Sequence, residues 1–343
     1  MAAISLDPRL NLQATKKSNQ HGVVLEEIEG LIRVHKDGHV ERPPMIPSVP
    51  STLALPPGVA AKDVVIDKFT NLWARIYGPN RPGSRPGIVY FHGGGFCVGS
   101  AAWSCYHEFL AKLASQASCV IISVNYCLAP ESRLPAAYDD GFKALMWVKQ
   151  QALNESSEQK WWLSKCNLSS LFIGGDSAGA NIAYNVTTQF GSWEPSILRP
   201  LSLKGTVLIQ PFFGGEARTW SEKCTTQPPY SALTLSNSDA YWRLSLPLRA
   251  SRDHPWCNPL ANSSMAKLRD LRLPSMMVCV SELDILKHRN FELCNGLSSM
   301  GKRVETTMHK GVGHAFQVLH NYQLSYSRTQ ELISHVKAFM IKQ

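Results

Sequence analysis

The sequence contains no apolar run long enough to cross a bilayer as a helix. Such a span needs roughly 18 consecutive apolar residues, and no window of this chain approaches that length. The opening stretch MAAISLDPRLNLQATKKSNQ also lacks the apolar core of a signal peptide, because Asp7 and Arg9 interrupt it. We therefore expect a chain with no membrane span that is not secreted. The expected location is the cytoplasm, with the nucleus as an open alternative.

Paired cysteines are lacking as well. The nine cysteines are an odd number, scattered from Cys97 to Cys294, and no two form a CxxC pair. This pattern disfavours a disulfide framework and a zinc site built on cysteine pairs. Reduced, mostly buried thiols in a reducing compartment are the expectation.

Clusters of basic residues are lacking although the formal net charge is +9. Lys and Arg are dispersed, with no run of five or more, so we expect a solvated basic surface and no nucleic-acid partner. Hydrophobic residues make up 44% and charged residues 18% of the chain, which is typical of a globular protein. An α/β fold of this size often closes around one core, so we predict a single domain over residues 1–343. The oligomeric state is left open.

A hairpin is predicted near the start of the chain. Asp37-Gly38 separates two short stretches with apolar residues and has the sequence of a tight turn. We expect the two antiparallel strands on either side to begin the sheet. After a proline-rich loop, Asp63 to Ile66 and Trp73 to Tyr77 predict further strands.

From Gly87 onward, short apolar runs alternate with segments of helical periodicity. This alternation is typical of buried parallel strands joined by crossover helices. The predicted strands are GIVYF, CVIISVNY, LFIGG, GTVLIQPFF, SMMVCV and VETTMH, and the predicted helices cover 107–116, 137–152, 180–190, 236–244 and 324–341. The sequence therefore predicts an α/β fold with a mostly parallel, twisted central sheet and helices on both faces.

Two segments do not fit the alternation, residues 1 to about 25 and residues 214–258. In doubly wound sheets, ligands bind outside the carboxyl ends of the strands. We predict that both segments fold over that edge as a helical lid that shapes a substrate pocket.

The pentapeptide Gly175-Asp176-Ser177-Ala178-Gly179 stands between a predicted strand and a predicted helix. In this context a GxSxG motif forms a sharp elbow that exposes the serine hydroxyl. The turn is so tight that the flanking positions must lack side chains, and glycine occupies both. The amino terminus of the helix also favours developing negative charge. We predict Ser177 as an activated nucleophile.

A second glycine-rich motif, His92-Gly93-Gly94-Gly95, follows the predicted strand GIVYF. Its glycines allow backbone N–H groups to approach a substrate carbonyl, as in an oxyanion hole. A Walker phosphate loop is excluded because no Gly-Lys-Ser/Thr follows. We predict Gly94, Gly95 and Ala178 as oxyanion donors, with His92 and Gly93 supporting the loop.

A nucleophilic serine needs a base, which in this fold follows both the serine and an acid along the chain. His314 lies in the glycine-flanked loop GVGHAF after the last predicted strand, where its ring can lean back over the elbow. Its rivals, His309, His320 and His335, fall at a strand end or toward the last helix. We predict His314 as the base and expect the rivals at the surface.

The acid is expected just after the predicted strand SMMVCV. Asp284 is the choice there, and Glu282 remains the alternative. The adjacent pair Asp253 and His254 looks like a catalytic dyad, but neighbouring side chains rarely orient one another. We expect that pair to stabilise the lid.

Four motifs in this order resemble plant carboxylesterases of the hormone-sensitive-lipase type. They are HGGGF at 92–96, NYCLAPESRLPAAYDD at 125–140, GDSAGAN at 175–181 and GVGHAF at 311–316, and the resemblance extends over nearly the whole chain. It implies an α/β-hydrolase that works without a cofactor or a metal on small-molecule esters. It also implies the roles already predicted for Ser177, Asp284 and His314.

The chain departs from the family pattern at three positions. Cys127, Ser132 and His288 stand where relatives often carry Arg, His and a second acid. None of these changes removes catalytic machinery, although His288 can alter how Asp284 is held.

Two other functions on the same fold remain open. One is a receptor for a hormone-like ligand with a vestigial site, and the other is a dehydratase or cyclising enzyme. Gibberellin receptors have lost the catalytic histidine, so His314 argues against the first. Isoflavanone dehydratases can carry threonine at the position of Gly93, so the all-glycine loop favours an esterase.

Overall fold

The computed structural model describes residues 22–154 and 158–343. The chain forms two compact units, one ending at Pro43 and one running from Pro44 to Gln343. Most of the predicted N-terminal lid segment, residues 1–21, lies outside the described residues. The single domain over residues 1–343 stays a prediction.

The first unit contains a small antiparallel sheet. Its strands are β1 Val24–Ile28, β2 Ile32–His35 and β3 Val40–Glu41, in that spatial order. In the turn between β2 and β3, Gly38 has a φ of 87°, and Asp37 Oδ1 accepts a 3.0 Å hydrogen bond from the N–H of His39. The hairpin is confirmed. Its predicted place at the start of the main sheet is wrong, because among the described strands these three pair only with one another.

The second unit is built on an eight-stranded sheet. Its strands are β4 Val59–Asp67, β5 Leu72–Pro79, β6 Arg85–Phe91, β7 Val120–Asn125, β8 Cys166–Asp176, β9 Leu203–Ile209, β10 Ser275–Ser281 and β11 Val304–His309. They lie in the order β11-β10-β9-β8-β6-β7-β5-β4. The two pairs that involve β5, with β4 and with β7, are antiparallel, and the remaining pairs are parallel. The mostly parallel sheet is confirmed.

The described residues contain ten helices. They are α1 Ser104–Gln116, α2 Ala136–Leu153, α3 Lys160–Leu163, α4 Ala178–Gly191, α5 Trp220–Cys224, α6 Leu235–Ser245, α7 Asn262–Asp270, α8 Lys287–Ser299, α9 Phe316–Leu319 and α10 Ser325–Lys342, with a short 3₁₀ turn at Pro195–Leu198. Eight of the ten described helices lie in the connections between the strands of this sheet, and α9 and α10 follow the last strand. The five predicted helices correspond to α1, α2, α4, α6 and α10. None of the helices in the described ranges combines the length and the apolar character that crossing a bilayer requires.

Helices cover both faces of the sheet. Tyr90 of β6 belongs to a buried cluster that includes side chains of α1 and α10. The ring of its neighbour Phe91 instead lies beside Gly141 of α2, which also lies against Val186 of α4. Because successive side chains of a strand point to opposite faces, the two groups of helices lie on opposite sides.

The parallel strands bring their carboxyl ends to one edge of the sheet. Strand β10 is buried at every position, which explains its continuous apolar run. Residues that follow β6, β8, β10 and β11 therefore emerge along the same edge, where loops can place side chains together. None of the nine cysteines, all of which lie in the described ranges, forms a disulfide, and six of them are buried.

Candidate active site

Ser177 occupies the sharp turn between β8 and α4. Its φ of 52° and ψ of −119° are strained for a residue with a side chain, as in a nucleophile elbow. A Cβ at Gly175 would lie 2.4 Å from the backbone of Gly179, and a Cβ at Gly179 would lie 2.0 Å from the carbonyl oxygen of Phe91. Glycine is required at both positions because the elbow packs directly on the end of β6.

The side chain of Ser177 meets the predicted base and acid in one chain of hydrogen bonds. The distance from Ser177 Oγ to His314 Nε2 is 2.8 Å, and the distance from His314 Nδ1 to Asp284 Oδ2 is 2.7 Å. All three side chains are buried. Because the carboxylate only accepts, Nδ1 carries the proton and Nε2 is left to accept the proton of the Ser177 hydroxyl.

The loops that carry the predicted acid and the predicted base are bonded to each other. The N–H of Leu283 donates to the carbonyl of Val312 over 3.0 Å. The alternative acid is Glu282. Its Oε2 accepts a hydrogen bond from the N–H of Gly311 over 2.8 Å, so this carboxylate contacts the backbone of the His314 loop. Asp284 Oδ1 accepts a hydrogen bond from the N–H of Leu286 over 2.9 Å. This bond holds the carboxylate in an orientation in which Oδ2 faces the imidazole of His314.

The rival histidines lie elsewhere. His335 is exposed and His320 is half-buried, whereas His309 is buried with its ring against Phe316 and His335. The expectation that His309 lies at the surface is therefore wrong. Burial lowers the pKa of His309 to about 4, which keeps this ring neutral near pH 7.

The glycine loop after β6 has a backbone that only glycine adopts easily. Gly94 and Gly95 have φ values of 118° and 57°, and a Cβ at Gly94 would lie 2.1 Å from the carbonyl oxygen of Val98. That turn is closed by hydrogen bonds of 3.0 Å from the N–H groups of Cys97 and Val98 to the carbonyl of Gly94. Across residues 22–154 and 158–343, the N–H groups of Gly94, Gly95 and Ala178 donate to no backbone carbonyl.

A buried carboxylate that the sequence did not single out holds this loop. Asp176 accepts from the hydroxyl of Tyr90 over 2.8 Å, from the hydroxyl of Tyr106 over 2.9 Å and from the N–H of Gly93 over 3.1 Å. The same N–H of Gly93 also donates to the oxygen of Tyr106 over 2.7 Å. The residue before Ser177 therefore anchors the start of the loop of predicted oxyanion donors.

Burial dominates the electrostatics of Asp176. Desolvation raises the pKa of its carboxyl to about 6, opposed by the hydrogen bonds from Tyr90 and Tyr106 and by His314. Burial and the nearby Asp176 charge also raise the pKa of both phenols well above their ordinary value, so the phenols stay protonated donors.

His92 supports the loop as a neutral ring. Burial lowers its pKa to about 4. Nδ1 lies 2.8 Å from the carbonyl oxygen of Gly93, which fixes the proton on Nδ1 because a carbonyl only accepts. The ring stacks on Tyr126 at 4.3 Å, and the hydroxyl of Tyr126 donates to the carbonyl of His92.

Part of the predicted mid-chain lid lies against the loop. The ring of Tyr241 in α6 packs so closely on Gly95 that a Cβ there would lie 2.2 Å from it. The next residue, Trp242, stacks on Phe212 at 4.6 Å and lies 5.5 Å from Phe96. An aromatic layer therefore joins α6 to the glycine loop and to the segment after β9.

Four further residues named from the sequence make contacts outside the Ser177–His314–Asp284 chain of hydrogen bonds. Asp253 Oδ1 accepts from the N–H of Glu216, and His254 Nδ1 accepts from the N–H of Trp256. Both bonds lie within residues 214–258. His288 contacts the ring of Trp220, and the N–H of Cys127 donates to Asp140. Within the described ranges, no cluster of three or more His, Cys, Asp or Glu is placed to share a metal ion.

Comparison with known proteins gives a consistent pattern. A family model described as the alpha/beta hydrolase fold matches residues 88–318. An Arabidopsis thaliana protein named "Probable carboxylesterase 6" is 47% identical over 328 residues, covering 94% of this chain and 93% of that protein. This similarity confirms the resemblance to plant carboxylesterases.

Two less similar relatives carry other names. A 2-hydroxyisoflavanone dehydratase of Glycyrrhiza echinata is 32% identical, covering 92% of this chain and 95% of that protein. A gibberellin receptor of Arabidopsis thaliana is 33% identical, covering 82% of this chain and 81% of the receptor.

Among solved structures, an esterase of Pyrobaculum calidifontis superposes with a TM-score of 0.65. It is 26% identical and covers 83% of this chain and 85% of its own.

Proposed function

This chain belongs to the α/β-hydrolase family, and on that basis we propose that it hydrolyses small acyl esters with Ser177 as nucleophile, His314 as base and Asp284 as acid. It is a carboxylic ester hydrolase. Its 47% identity to a plant carboxylesterase and its similarity to a solved esterase support the reaction class.

One observation carries the assignment of roles. The bonds of 2.8 Å and 2.7 Å that join Ser177, His314 and Asp284 supply a base for the serine and an acid for the base. The three residues come from loops after β8, β10 and β11, and neither Glu282 nor the rival histidines enter this chain of bonds.

The proposed reaction proceeds through an acyl-enzyme. His314 Nε2 takes the proton of Ser177 as Oγ attacks the ester carbonyl carbon, and Asp284 stabilises the imidazolium that forms. The N–H groups of Gly94, Gly95 and Ala178 donate to the oxyanion, each contributing about 3 kcal/mol to lowering the barrier. His314 then protonates the departing alcohol. Water, deprotonated by the same imidazole, attacks the acyl-enzyme and releases the acid.

Residues 214–258 are proposed to act as the lid over this site. The contact of Tyr241 with Gly95 supports that role, because it puts a lid side chain on the loop of oxyanion donors. A cytoplasmic location is also proposed, supported by the nine cysteines, none of which forms a disulfide and which persist best as thiols in a reducing compartment. The proposed partner is a small ester, with no nucleic acid.

Hydrolysis of p-nitrophenyl acetate and butyrate tests the function. We expect release of p-nitrophenol by the parent and none above background by Ser177→Ala. Covalent labelling of Ser177 by a fluorophosphonate tests the nucleophile separately. Labelling without turnover would favour lyase chemistry, and a folded protein with neither would favour a receptor.

A further inference from the structure

We infer that Gln210 is a positioning residue for His314, acting through the backbone on both sides of the base. The inference rests on the proposed function in so far as His314 is the base. Gln210 lies just after β9, the strand between the one that carries Ser177 and the one that precedes Asp284. Its side chain is fully buried.

The backbone around Gln210 is bonded to the nucleophile. The N–H of Ser177 donates to the carbonyl of Ile209 over 2.9 Å, and the N–H of Phe212 donates to the carbonyl of Ser177 over 3.0 Å. The N–H of Gln210 itself donates to the carbonyl of Cys279 in β10 over 2.8 Å. Gln210 is therefore fixed relative to the elbow before its side chain makes any contact.

The side chain reaches from this fixed point to the loop of the base. Oε1 accepts a 2.7 Å hydrogen bond from the N–H of Ala315, and Nε2 lies 3.5 Å from the carbonyl oxygen of Gly313. The second distance is long, so the Ala315 bond contributes most. Nε2 also donates to Ser281 Oγ, at the end of β10, over 2.6 Å. One amide thus links the two residues that flank His314 to the strand that leads to Asp284.

The loop needs such a support because Ala315 has an unfavourable backbone. Its φ of 58° and ψ of 22° lie in the left-handed region, which a residue with a Cβ adopts only at a cost. Release of the Ala315 N–H would let this residue relax to a right-handed conformation. The imidazole one residue earlier would then turn away from Ser177 Oγ.

Glutamine suits this position because it offers one acceptor and one donor. Methionine keeps much of the shape and loses all three contacts. Glutamate keeps the acceptor for Ala315, and the Ser281 hydroxyl can turn to donate to it. Its second oxygen, however, faces the carbonyl of Gly313 and brings a negative charge close to His314.

The test compares Gln210→Met with Thr206→Val. Thr206 lies in β9, four residues before Gln210, is fully buried and shares a 3.0 Å hydroxyl contact with Thr187, away from the His314 loop. We expect Gln210→Met to lower kcat on p-nitrophenyl butyrate by about 10²-fold, as for a small displacement of a catalytic group, with little change in KM. Thr206→Val should lose stability, as Gln210→Met does, and keep the kcat of the parent. An unchanged kcat in Gln210→Met, or an equal loss in Thr206→Val, overturns the inference.

The pH profile gives a second reading. The charge introduced by Gln210→Glu favours the protonated imidazole, so the acid limb of kcat/KM should move to higher pH while Thr206→Val leaves it in place. An acid limb that does not move in Gln210→Glu contradicts the proximity on which the inference depends.

Failure of the proposed function would be recognised separately. If the parent neither hydrolyses esters nor reacts with a fluorophosphonate, hydrogen exchange at the Ala315 amide still reports on Gln210. We expect faster exchange there in Gln210→Met and unchanged exchange in Thr206→Val. Equal protection of Ala315 in Gln210→Met and the parent would overturn the inference without reference to any substrate.

Discussion

The hydroxyl of Tyr106 lies between the carboxylate of Asp176 and the backbone of Gly93. It donates to Asp176 over 2.9 Å and accepts from the N–H of Gly93 over 2.7 Å. A side chain of α1 thereby joins the residue before Ser177 to the loop of proposed oxyanion donors. These buried polar contacts lie outside the chain of hydrogen bonds that joins Ser177, His314 and Asp284.

Tyr106→Phe is expected to lower both stability and turnover. The change removes a buried hydrogen bond to a carboxyl group and one acceptor of the Gly93 N–H, costing about 1.5 to 3 kcal/mol of unfolding free energy. We expect kcat to fall by about tenfold, less than the 10²- to 10³-fold loss typical of deleting an oxyanion donor outright. Urea unfolding and p-nitrophenyl butyrate hydrolysis measure the two effects.

Tyr90→Phe is the matched control for this change. Tyr90 donates to the same carboxylate but makes no contact with Gly93 in the hydrogen bonds described above. It should cost comparable stability and leave kcat nearly intact. A kcat loss as large in Tyr90→Phe as in Tyr106→Phe would show that the contact with Gly93 is unimportant.

Asp176 makes stability depend on pH in a direction opposite to that of most carboxylates. Its pKa is about 6 in the folded protein against an ordinary value of 3.8, so between these values the folded state holds a proton that the unfolded chain has released. Stability from this group is full below the lower value and is lost as pH rises through the higher one. Relative to Asp176→Asn, the unfolding free energy of the parent should fall by on the order of 3 kcal/mol across that range. Parallel pH curves for the two proteins would contradict the burial of a titrating carboxyl.

Asp284→Asn and Glu282→Gln together decide which residue is the acid. Replacing a triad carboxylate by its amide leaves the shape intact but disfavours the tautomer and the cation that the base needs, and it lowers kcat by about 10⁴-fold. We expect that loss for Asp284→Asn. Glu282→Gln keeps an oxygen that can accept from Gly311, so kcat should remain close to that of the parent. The reverse ranking in steady-state assays would make Glu282 the acid.

Local chemistry explains why the main motifs could be read from the sequence. The elbow needs glycine on both sides of Ser177, and the structure shows backbone within 2.4 Å of where each Cβ would lie. Apolar runs mark β6 to β10 because both faces of the sheet are covered. His314 and Asp284 could be chosen because strand ends of a parallel sheet share one edge, although their catalytic roles stay predictions.

The sequence does not show which residues far apart along the chain come into contact. Tyr90 and Tyr106 have the pattern of ordinary core aromatics, and only the folded structure brings both to Asp176. His309 was misplaced because its strand is half exposed, and burial comes from the ring of Phe316 and the neighbouring α10. The turn at Asp37-Gly38 could be predicted because neighbouring residues determine it. The sheet that the hairpin joins depends on residues distant along the chain, so it could not be predicted in the same way.

The separation of Ser177 and His314 has a consequence for synthesis. The two residues stand 137 positions apart, and His314, the proposed base, lies in the loop after the last strand of the sheet. A chain emerging amino end first can complete its elbow long before any base reaches it. On the proposed roles, we expect Ser177 to stay unreactive toward esters until β11 and the loop after it join the sheet.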